Sequence, residues 1–270
     1  MPPLNKVNTS GEELFMELAS DTRRDILKKL YESDLKLSKI ASELDLSLQE
    51  AHRNISRLSR LGLVEKSKDN SFAISSFGKI IFNQLAPFDF LLGNENFFKK
   101  HSTDDLPRKF IERLGELRNS TLVCGVGPVF ERWKKMAKEA KSCINIVTNQ
   151  YPLDVATIMI SRVKEGVKFS SIFAENIEVP KVRDEILKKS GWTKMISDGI
   201  VKRRMLETVK VCTTVTDTEA CVFFPDLTGQ TDLISSFFSK DEQFVEWCND
   251  YFHYQWQRAK SFDDTKLLKY

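Results

Sequence analysis

Hydrophobic residues near the beginning of the chain recur every three or four positions, which is the spacing of one face of an α-helix. Four such stretches follow one another, at residues 11–18, 21–31, 37–44 and 47–61. The pattern then changes to two short apolar runs, residues 63–66 and 71–74, joined by a polar turn as in a β-hairpin. The pattern therefore predicts four helices followed by a two-stranded hairpin.

The fourth predicted helix has well-defined ends. Ser47 with Glu50 three residues later is a capping box, and Gly62 ends the helix. Its predicted core face carries Leu48, Ala51, Ile55, Leu58 and Leu61. Its opposite face carries Gln49, His52, Arg53, Ser56, Arg57 and Arg60. No acidic residue occurs between Ala51 and Gly62, so this face is predicted to be positively charged.

The order of helix, short helix, tight turn, basic amphipathic helix and two-stranded wing predicts a winged helix-turn-helix. An α-helix fits the DNA major groove, where long polar side chains reach base edges. Basic residues of the hairpin would contact phosphates and fix the register. The predicted contacts with double-stranded DNA are Ser47, Gln49, His52, Arg53, Ser56, Arg57, Arg60, Lys66 and Lys68. Two alternatives stay open: a merely solvated helix face, and an adaptor whose winged helix binds protein.

Two stretches of this region resemble the ArsR-like winged-helix regulators. Thr22-Arg23 followed by Ile26-Leu27 is similar to their second helix, and residues 59–64 are similar to the end of their recognition helix. The resemblance implies an archaeal-type transcriptional regulator. Metal-sensing members carry Cys-x-Cys on a DNA-binding helix. The first cysteine here is Cys124, so metal sensing is not implied.

The segment of residues 76–120 is too apolar for a free linker, and Pro87 would kink or restart its first helix. We interpret it as a linker with dimerisation helices between a DNA-binding domain at residues 1–75 and a further domain at residues 121–262. A homodimer would present two modules to two DNA half-sites. Packing within a single chain is the alternative.

Strands and helices alternate from residue 121 onwards. Strands are predicted at residues 121–126, 143–148, 167–173, 209–215 and 220–224. Helices are predicted at residues 129–140, 153–165, 181–189 and, rich in aromatic residues, 241–262. The predicted fold class is therefore α/β multi-domain, with parallel strands joined by helices and a late antiparallel hairpin.

Residues 209–226 and 237–248 resemble the middle domain of the methanogenesis regulatory protein family, which follows a winged helix in archaeal regulators. That domain is similar in outline to half of a phospholipase-D-like fold. The resemblance implies a sensor or assembly domain, and a small-molecule effector is a candidate partner. Weaker candidates for effector contacts are Asn149, Tyr151, Asp154, Arg203 and Arg204. Solvated loops and local salt bridges are the alternative for each of them.

No catalytic motif stands out. A phospholipase-D-like hydrolase needs His-x-Lys, and none of the three histidines has lysine two residues later. Gly125-Val-Gly127 lacks a third glycine and is followed by Pro128, which predicts a tight turn. We therefore expect no enzyme activity, catalytic residue, metal site or cofactor. A degenerate phosphodiesterase is the enzymatic alternative.

Composition adds further limits. The chain is 41% hydrophobic and 29% charged, as in globular proteins. Its five cysteines include no Cys-x-x-Cys pair, so we expect small buried side chains, with a redox-sensing pair as the alternative. The first 92 residues carry 13 basic and 13 acidic residues, so DNA binding depends on where the charges lie.

The hydropathy of the chain gives no sign of a membrane segment. No apolar run approaches the ~20 residues that a span needs, and the start Met1-Pro2 is not followed by the apolar core of a secretory signal. We therefore expect a cytoplasmic protein without a membrane partner.

Overall fold

A computed structural model describes residues 10–67 and 69–270 of the chain. It divides into two compact units, Met1–Ala86 and Pro87–Tyr270. The elements of the first unit are α1 (Gly11–Leu18), α2 (Asp21–Glu32), α3 (Leu37–Glu43), α4 (Leu48–Arg60), β1 (Val64–Lys66) and β2 (Phe72–Ile74). Helix α5 (Ser76–Gly93) contains the division between the units and has Pro87 inside it.

The helices of the first unit enclose a small apolar core. Ile26, Leu27, Ile40, Ile55 and Leu58 are almost fully buried in it. Burial of such side chains stabilises a fold by about 1.5–3 kcal/mol each. The four predicted helices, and with them the order of a helix-turn-helix, are therefore confirmed.

The turn between α3 and α4 depends on one unusual backbone conformation. Asp45 has φ of +52°, in the left-handed region, where aspartate is tolerated better than most residues. The amide of Leu46 then donates to the carbonyl of Ala41 at 2.9 Å. This tight reversal brings α4 across α3, as the sequence predicted.

The wing forms as predicted, and one further β-bridge joins it to the segment between α2 and α3. Strands β1 and β2 pair antiparallel, with Glu65 opposite Ala73. Leu35, between α2 and α3, forms a further antiparallel bridge with Phe72. Gly78 allows α5 to lie against the wing, because a Cβ there would be 2.1 Å from the carbonyl oxygen of Leu63.

The second unit contains most of the strands. Its strands are β3 (Thr121–Cys124), β4 (Cys143–Thr148), β5 (Lys168–Ala174), β6 (Glu178–Val179), β7 (Val201–Leu206), β8 (Cys212–Thr216), β9 (Ala220–Phe223), β10 (Ser235–Ser239), β11 (Lys260–Ser261) and β12 (Leu268–Lys269). Its helices are α6 (Glu95–Phe98), α7 (Arg108–Ile111), α8 (Val126–Glu139), α9 (Leu153–Lys164), α10 (Val182–Ser190), α11 (Trp192–Ser197) and α12 (Glu242–Arg258). Two 3-10 turns lie at Leu114–Leu117 and Asp264–Lys266.

Eight strands form one mixed sheet in the order β11-β7-β5-β4-β8-β9-β10-β3. Strands β4, β5 and β7 are parallel, and β4, β8, β9, β10 and β3 pair antiparallel in succession. The predicted parallel pairing is confirmed for β4 and β5, and the predicted late hairpin is confirmed as β8 and β9. Strand β3 lies at the far edge of the sheet instead of beside β4, because three antiparallel strands separate the two.

Three parts of the second unit differ from the sequence-based prediction. Arg203 and Arg204, interpreted as a possible loop after a helix, lie within β7. Phe237 lies in β10, where the sequence predicted no strand before the last helix. That helix, α12, begins only after Asp241, whose carboxylate accepts hydrogen bonds from the Gln243 and Phe244 amides, and it ends at Arg258. Local spacing missed both strands because their neighbours come from distant parts of the chain.

The segment that follows Pro87 packs into the second unit. Phe90, Phe97, Leu106 and Phe110 are buried in the same core as the sheet. The predicted division at residues 1–75, 76–120 and 121–262 stays a prediction for the whole chain. Within this unit, however, residues 87–120 supply core side chains and are not a free linker.

All five cysteines are free thiols. Cys212, Cys221 and Cys248 are buried, Cys143 is half-buried and Cys124 is exposed. Burial raises the pKa of the Cys212 thiol to about 11, so this group stays protonated at neutral pH. The three buried thiols thus pack as small hydrophobic side chains.

Residues 10–67 and 69–270 contain neither a metal-binding cluster nor a membrane-spanning helix. No group of three or more His, Cys, Asp or Glu side chains is arranged to hold a metal ion. No helix within those residues is both long and apolar enough to cross a membrane.

Candidate nucleic-acid interface

The capping box fixes the beginning of α4. The amide of Glu50 donates to Ser47 Oγ at 3.2 Å, and the amide of Ser47 donates to Glu50 Oε2 at 3.0 Å. The Ser47 hydroxyl also donates to the same carboxylate at 2.8 Å. Ser47 thus stabilises the helix start, and its contact with DNA stays a prediction.

Helix α4 separates an apolar face from a polar face. Ala51, Ile55 and Leu58 are buried in the core of the first unit. Leu48 was predicted to belong to this face, and that prediction is wrong, because Leu48 is 58% exposed. It occupies the first position of the helix, before the point where α4 meets the core.

The polar face is one continuous exposed surface. Its side chains border a single shallow depression and are Gln49, His52, Arg53, Ser56, Arg57 and Arg60. All six are exposed. These are the six residues that the sequence placed on the outer face of the helix, so the structure brings them together. We call this surface the α4 face.

A buried carboxylate of α1 holds one end of the α4 face. Glu17 is 2% exposed, and Arg57 donates to both of its carboxylate oxygens at 2.8–2.9 Å. Arg23 Nε lies 2.9 Å from Glu17 Oε2, and Arg60 lies 3.9 Å from Oε1. Arg60 pairs more closely with Glu13, at 2.6 Å. We call Glu17 with Arg23, Arg57 and Arg60 the Glu17 cluster.

The electrostatics of the Glu17 cluster favour the charged forms of Glu17 and Arg57. Burial alone would raise the pKa of Glu17, but the hydrogen bond from Arg57 and the charges of Arg23, Arg57 and Arg60 hold it below its usual value. The same hydrogen bond and charge raise the pKa of Arg57. The carboxylate therefore stays ionised and orders the guanidinium groups around it.

The cluster corrects one expectation about the α4 face. The face has no acidic residue in its own sequence, but its last two arginines contact acidic residues of α1. Their side chains still remain 45% and 61% exposed, for Arg57 and Arg60 respectively. Arg53 is exposed and forms no ion pair with any residue in the described part of the chain. The face is thus partly neutralised at its end and cationic at its centre.

The wing contributes less positive charge than the sequence implied. Lys66 is exposed at the end of β1. Lys68 lies outside the described residues. Asp69 accepts hydrogen bonds from the Ser71 hydroxyl and amide, which keep the pKa of Asp69 below its usual value. Ser67 donates to Asp34 at 3.2 Å, so two carboxylates lie at this turn.

The weaker effector candidates of the second unit do not form one cluster. Tyr151 and Arg203 border the same cavity. Arg204 points elsewhere and donates to the carbonyl of Trp256 at 2.6 Å. Asn149 accepts from the Cys212 thiol at 3.4 Å, and Asp154 is exposed in the first turn of α9.

Comparison with protein families supports the helix-turn-helix assignment of the first unit. Residues 18–67 match a family described as a helix-turn-helix domain. This stretch covers α2, α3, α4 and β1, and therefore includes the whole α4 face. No curated protein matches the chain in sequence.

Solved structures offer distant likenesses. TrmBL2, an archaeal chromatin protein with a novel mode of DNA binding, is 16% identical, with a TM-score of 0.42 over 94% of this chain and 100% of its own. Nuc of Salmonella typhimurium, a phospholipase D family member, is 11% identical, with a TM-score of 0.39 over 54% of this chain and 99% of its own. NucT of Helicobacter pylori is also 11% identical, with a TM-score of 0.39 over 53% and 98%. TM-scores this low do not establish a shared fold. The phospholipase-D-like outline of the second unit therefore stays a prediction.

Proposed function

We propose that the protein is a sequence-specific DNA-binding transcriptional regulator that inserts α4 into the major groove. The α4 face is the observation that carries this proposal. It groups six polar or basic side chains on the solvent side of a helix whose other side is anchored in a core. Arginine forms paired hydrogen bonds with guanine, and glutamine does so with adenine.

Each part of the α4 face has a distinct role in this proposal. Gln49 and Arg53, one turn apart near the helix start, would contact base edges. Arg57 and Arg60, held by the Glu17 cluster, would contact phosphates, because a phosphate needs a fixed cation and not a base-specific one. Lys66 of the wing would contact a phosphate of the DNA backbone outside the stretch that α4 contacts. Exposed Leu48 could meet a thymine methyl group.

We further propose that the regulator acts as a homodimer. Phe77 and Ile80 of α5 are 48% and 61% exposed, although they are large apolar side chains three positions apart on one helix. Exposed apolar residues at helical spacing favour helix pairing. A closed two-fold dimer would carry two α4 faces to two half-sites.

For the second unit we propose a sensing or assembly role and no catalytic activity. Its sequence contains no His-x-Lys, and in the described residues no histidine is hydrogen-bonded to a serine, threonine or cysteine side chain. His101, for example, contacts the carbonyl of Phe97 at 2.8 Å and Asp232 at 2.9 Å while stacking on the Phe97 ring. These contacts give that histidine a structural role.

Genome-wide mapping of bound DNA tests the proposed function. The proposal expects a recurrent motif made of two inverted half-sites, whose centres lie about one helical turn, or a multiple of it, apart. Gln49→Ala should change the preferred base at one position of each half-site. Arg108→Ala is the control, because Arg108 is an exposed arginine of the second unit, and it should leave the base preference unchanged.

Two outcomes would contradict the proposal. A protein that occupies no specific DNA sites, but is recovered with one stoichiometric protein partner, would support the winged-helix adaptor. A recurrent motif with a single half-site would support DNA binding but contradict the proposed dimer.

A further inference from the structure

The second unit contains a cavity between one face of its sheet and helices α9, α10 and α11. Its empty space is about 540 Å³, including the space at its mouth. The walls are mainly apolar, and five aromatic side chains line them: Trp133, Tyr151, Phe169, Phe173 and Trp192. Such walls favour a flat, apolar molecule.

The floor of the cavity is a row of side chains across the parallel strands. Ser171 of β5 is directly opposite Ile146 of β4 and Arg203 of β7. Because side chains alternate along a strand, Phe169 and Phe173 lie on the same face as Ser171. All five residues line the cavity. The Ser171 hydroxyl therefore lies between an apolar residue of β4 and an arginine of β7, with a phenylalanine on either side along its own strand.

The cavity gathers buried donors that have no partner. In residues 10–67 and 69–270, four buried side-chain polar atoms lack a hydrogen-bond partner, and three belong to residues of this cavity. They are Ser171 Oγ, Arg183 Nε and Trp192 Nε1. The fourth, Thr213 Oγ1, lies outside the cavity.

These unpaired groups share one chemical property. Arg183 is 3% exposed and Ser171 is 0% exposed, so neither group has ready access to bulk solvent. A guanidinium and an indole N–H can only donate, and a hydroxyl donates as well. Since most buried polar groups in proteins are paired, three unpaired donors around one space point to an absent acceptor.

The charges at the mouth suit an anion. Asp264 accepts from Arg203 at 3.3–3.4 Å and lies 3.6 Å from Arg183. Asp184 contacts Arg183 at 3.3 Å and also pairs with Lys269. The two arginines of the cavity lining, Arg183 and Arg203, thus share the carboxylates of Asp184 and Asp264, and Lys269 also pairs with Asp184. Burial raises the pKa of Tyr151, against the opposing charge of Arg183, so its phenol stays neutral.

We propose that this cavity binds a small aromatic carboxylate. Its ring would pack against the aromatic walls, and its carboxylate would accept hydrogen bonds from Ser171, Arg183 and Trp192. A carboxylate is an acceptor-only group that can accept several hydrogen bonds at once, which matches a site made of donors. The inference does not depend on DNA binding, because it concerns the second unit alone.

Titration of the full chain with benzoate and phenylacetate tests the proposal, by calorimetry and by the fluorescence of Trp133 and Trp192. We expect saturable binding of one molecule per chain. The neutral amides, benzamide and phenylacetamide, should bind at least about tenfold more weakly, because they keep the ring and lose the charge. Hexanoate should also bind more weakly, because it keeps the charge and lacks the ring.

Three variants locate the site. Ser171→Ala and Trp192→Phe each remove one unpaired donor and keep the apolar volume, so each should weaken phenylacetate binding about fivefold without lowering the melting temperature. Thr213→Val is the matched control, because it removes the unpaired hydroxyl outside the cavity. Its binding should equal that of the unmodified chain.

Each contrary result has a defined meaning. Absence of saturable binding of either acid up to about 10 mM, far weaker than a typical effector site, would overturn the proposal and indicate that water alone satisfies the donors. Equal binding of acid and amide would overturn the role of the carboxylate. Binding that is unchanged by both Ser171→Ala and Trp192→Phe would place the acid elsewhere. No DNA is present, so these outcomes are separate from the test of the DNA-binding proposal.

Discussion

The α4 face and the cavity of the second unit both present arginines, but the two regions treat them differently. At the α4 face, Arg57 is exposed and is already held by a carboxylate of its own unit. In the cavity, Arg183 is buried and its Nε has no partner in the described residues. An exposed, oriented cation suits a large polyanion that arrives from solvent. A buried, unpaired donor suits a small molecule that becomes enclosed.

Glu17→Gln should produce the largest change, because it removes the charge that makes the first region differ from the second. Glutamine keeps the shape but loses the charge-assisted hydrogen bonds to Arg57, and it leaves Arg23 close to the charge of Arg57 without the compensating carboxylate. We expect a loss of about 1–2 kcal/mol in the free energy of unfolding, since the partners are partly exposed. Denaturant unfolding at neutral pH measures it.

Glu12→Gln is the matched control for this change. Glu12 lies in the exposed first turn of the same helix, α1. Its replacement should change the unfolding free energy by less than about 0.5 kcal/mol. Equal effects of the two substitutions would show that the Glu17 cluster does not order the α4 face.

Arg57→Ala should affect both stability and DNA binding, which distinguishes it from Arg53→Ala. Arg57 is bonded to Glu17, so its loss leaves that carboxylate buried with a weaker set of partners. Arg53 has no such partner, and its replacement should leave thermal stability unchanged. Thermal unfolding and duplex titration of both variants check this difference. A loss of stability in Arg53→Ala, or none in Arg57→Ala, would contradict the assigned contacts.

Acid should weaken the first region in a defined direction. The pKa of Glu17 is lowered in the folded chain, so its stabilising effect is complete above the unfolded value of about 4.5 and is lost as the pH falls through the folded pKa. The stability difference between the unmodified chain and Glu17→Gln should therefore shrink below about pH 4.5. Unfolding curves of both proteins at neutral and acid pH measure that difference. A difference that is independent of pH would argue against an ionised Glu17.

Lys66→Ala should have the smallest effect. A single phosphate contact by the wing adds affinity without sequence preference. We therefore expect the affinity for duplex DNA to fall about two- to threefold, and the slope of log affinity against log salt to become shallower by roughly one unit. Duplex titration at several salt concentrations measures both quantities. A change of base preference would instead assign Lys66 a role in base recognition.

Local patterns were sufficient to predict the α4 face. The capping box of Ser47 and Glu50, the spacing of Ala51, Ile55 and Leu58, and the stop at Gly62 all lie within one helix. They determine which side chains point outward without knowledge of any other element. The prediction was wrong for Leu48 because burial at a helix end depends on which other elements pack against that end.

Contacts between distant segments could not be predicted in the same way. Glu17 and Arg57 are 40 positions apart, so neither charge reveals the other in the sequence. Arg203 resembled a loop residue because two adjacent arginines interrupt the apolar pattern of β7. Only the strand register places it beside Ser171, and that register closes the floor of the cavity.

The most direct test of the central claim is the affinity of the chain for one selected duplex, measured by fluorescence anisotropy across a range of salt concentrations. The account predicts that log affinity falls linearly with log salt. It also predicts that Arg53→Ala weakens binding about tenfold, whereas Arg108→Ala, which removes the same charge elsewhere, stays within about twofold. Absence of binding at low salt, or equal affinities of Arg53→Ala and the unmodified chain, would contradict the claim that the α4 face recognises DNA.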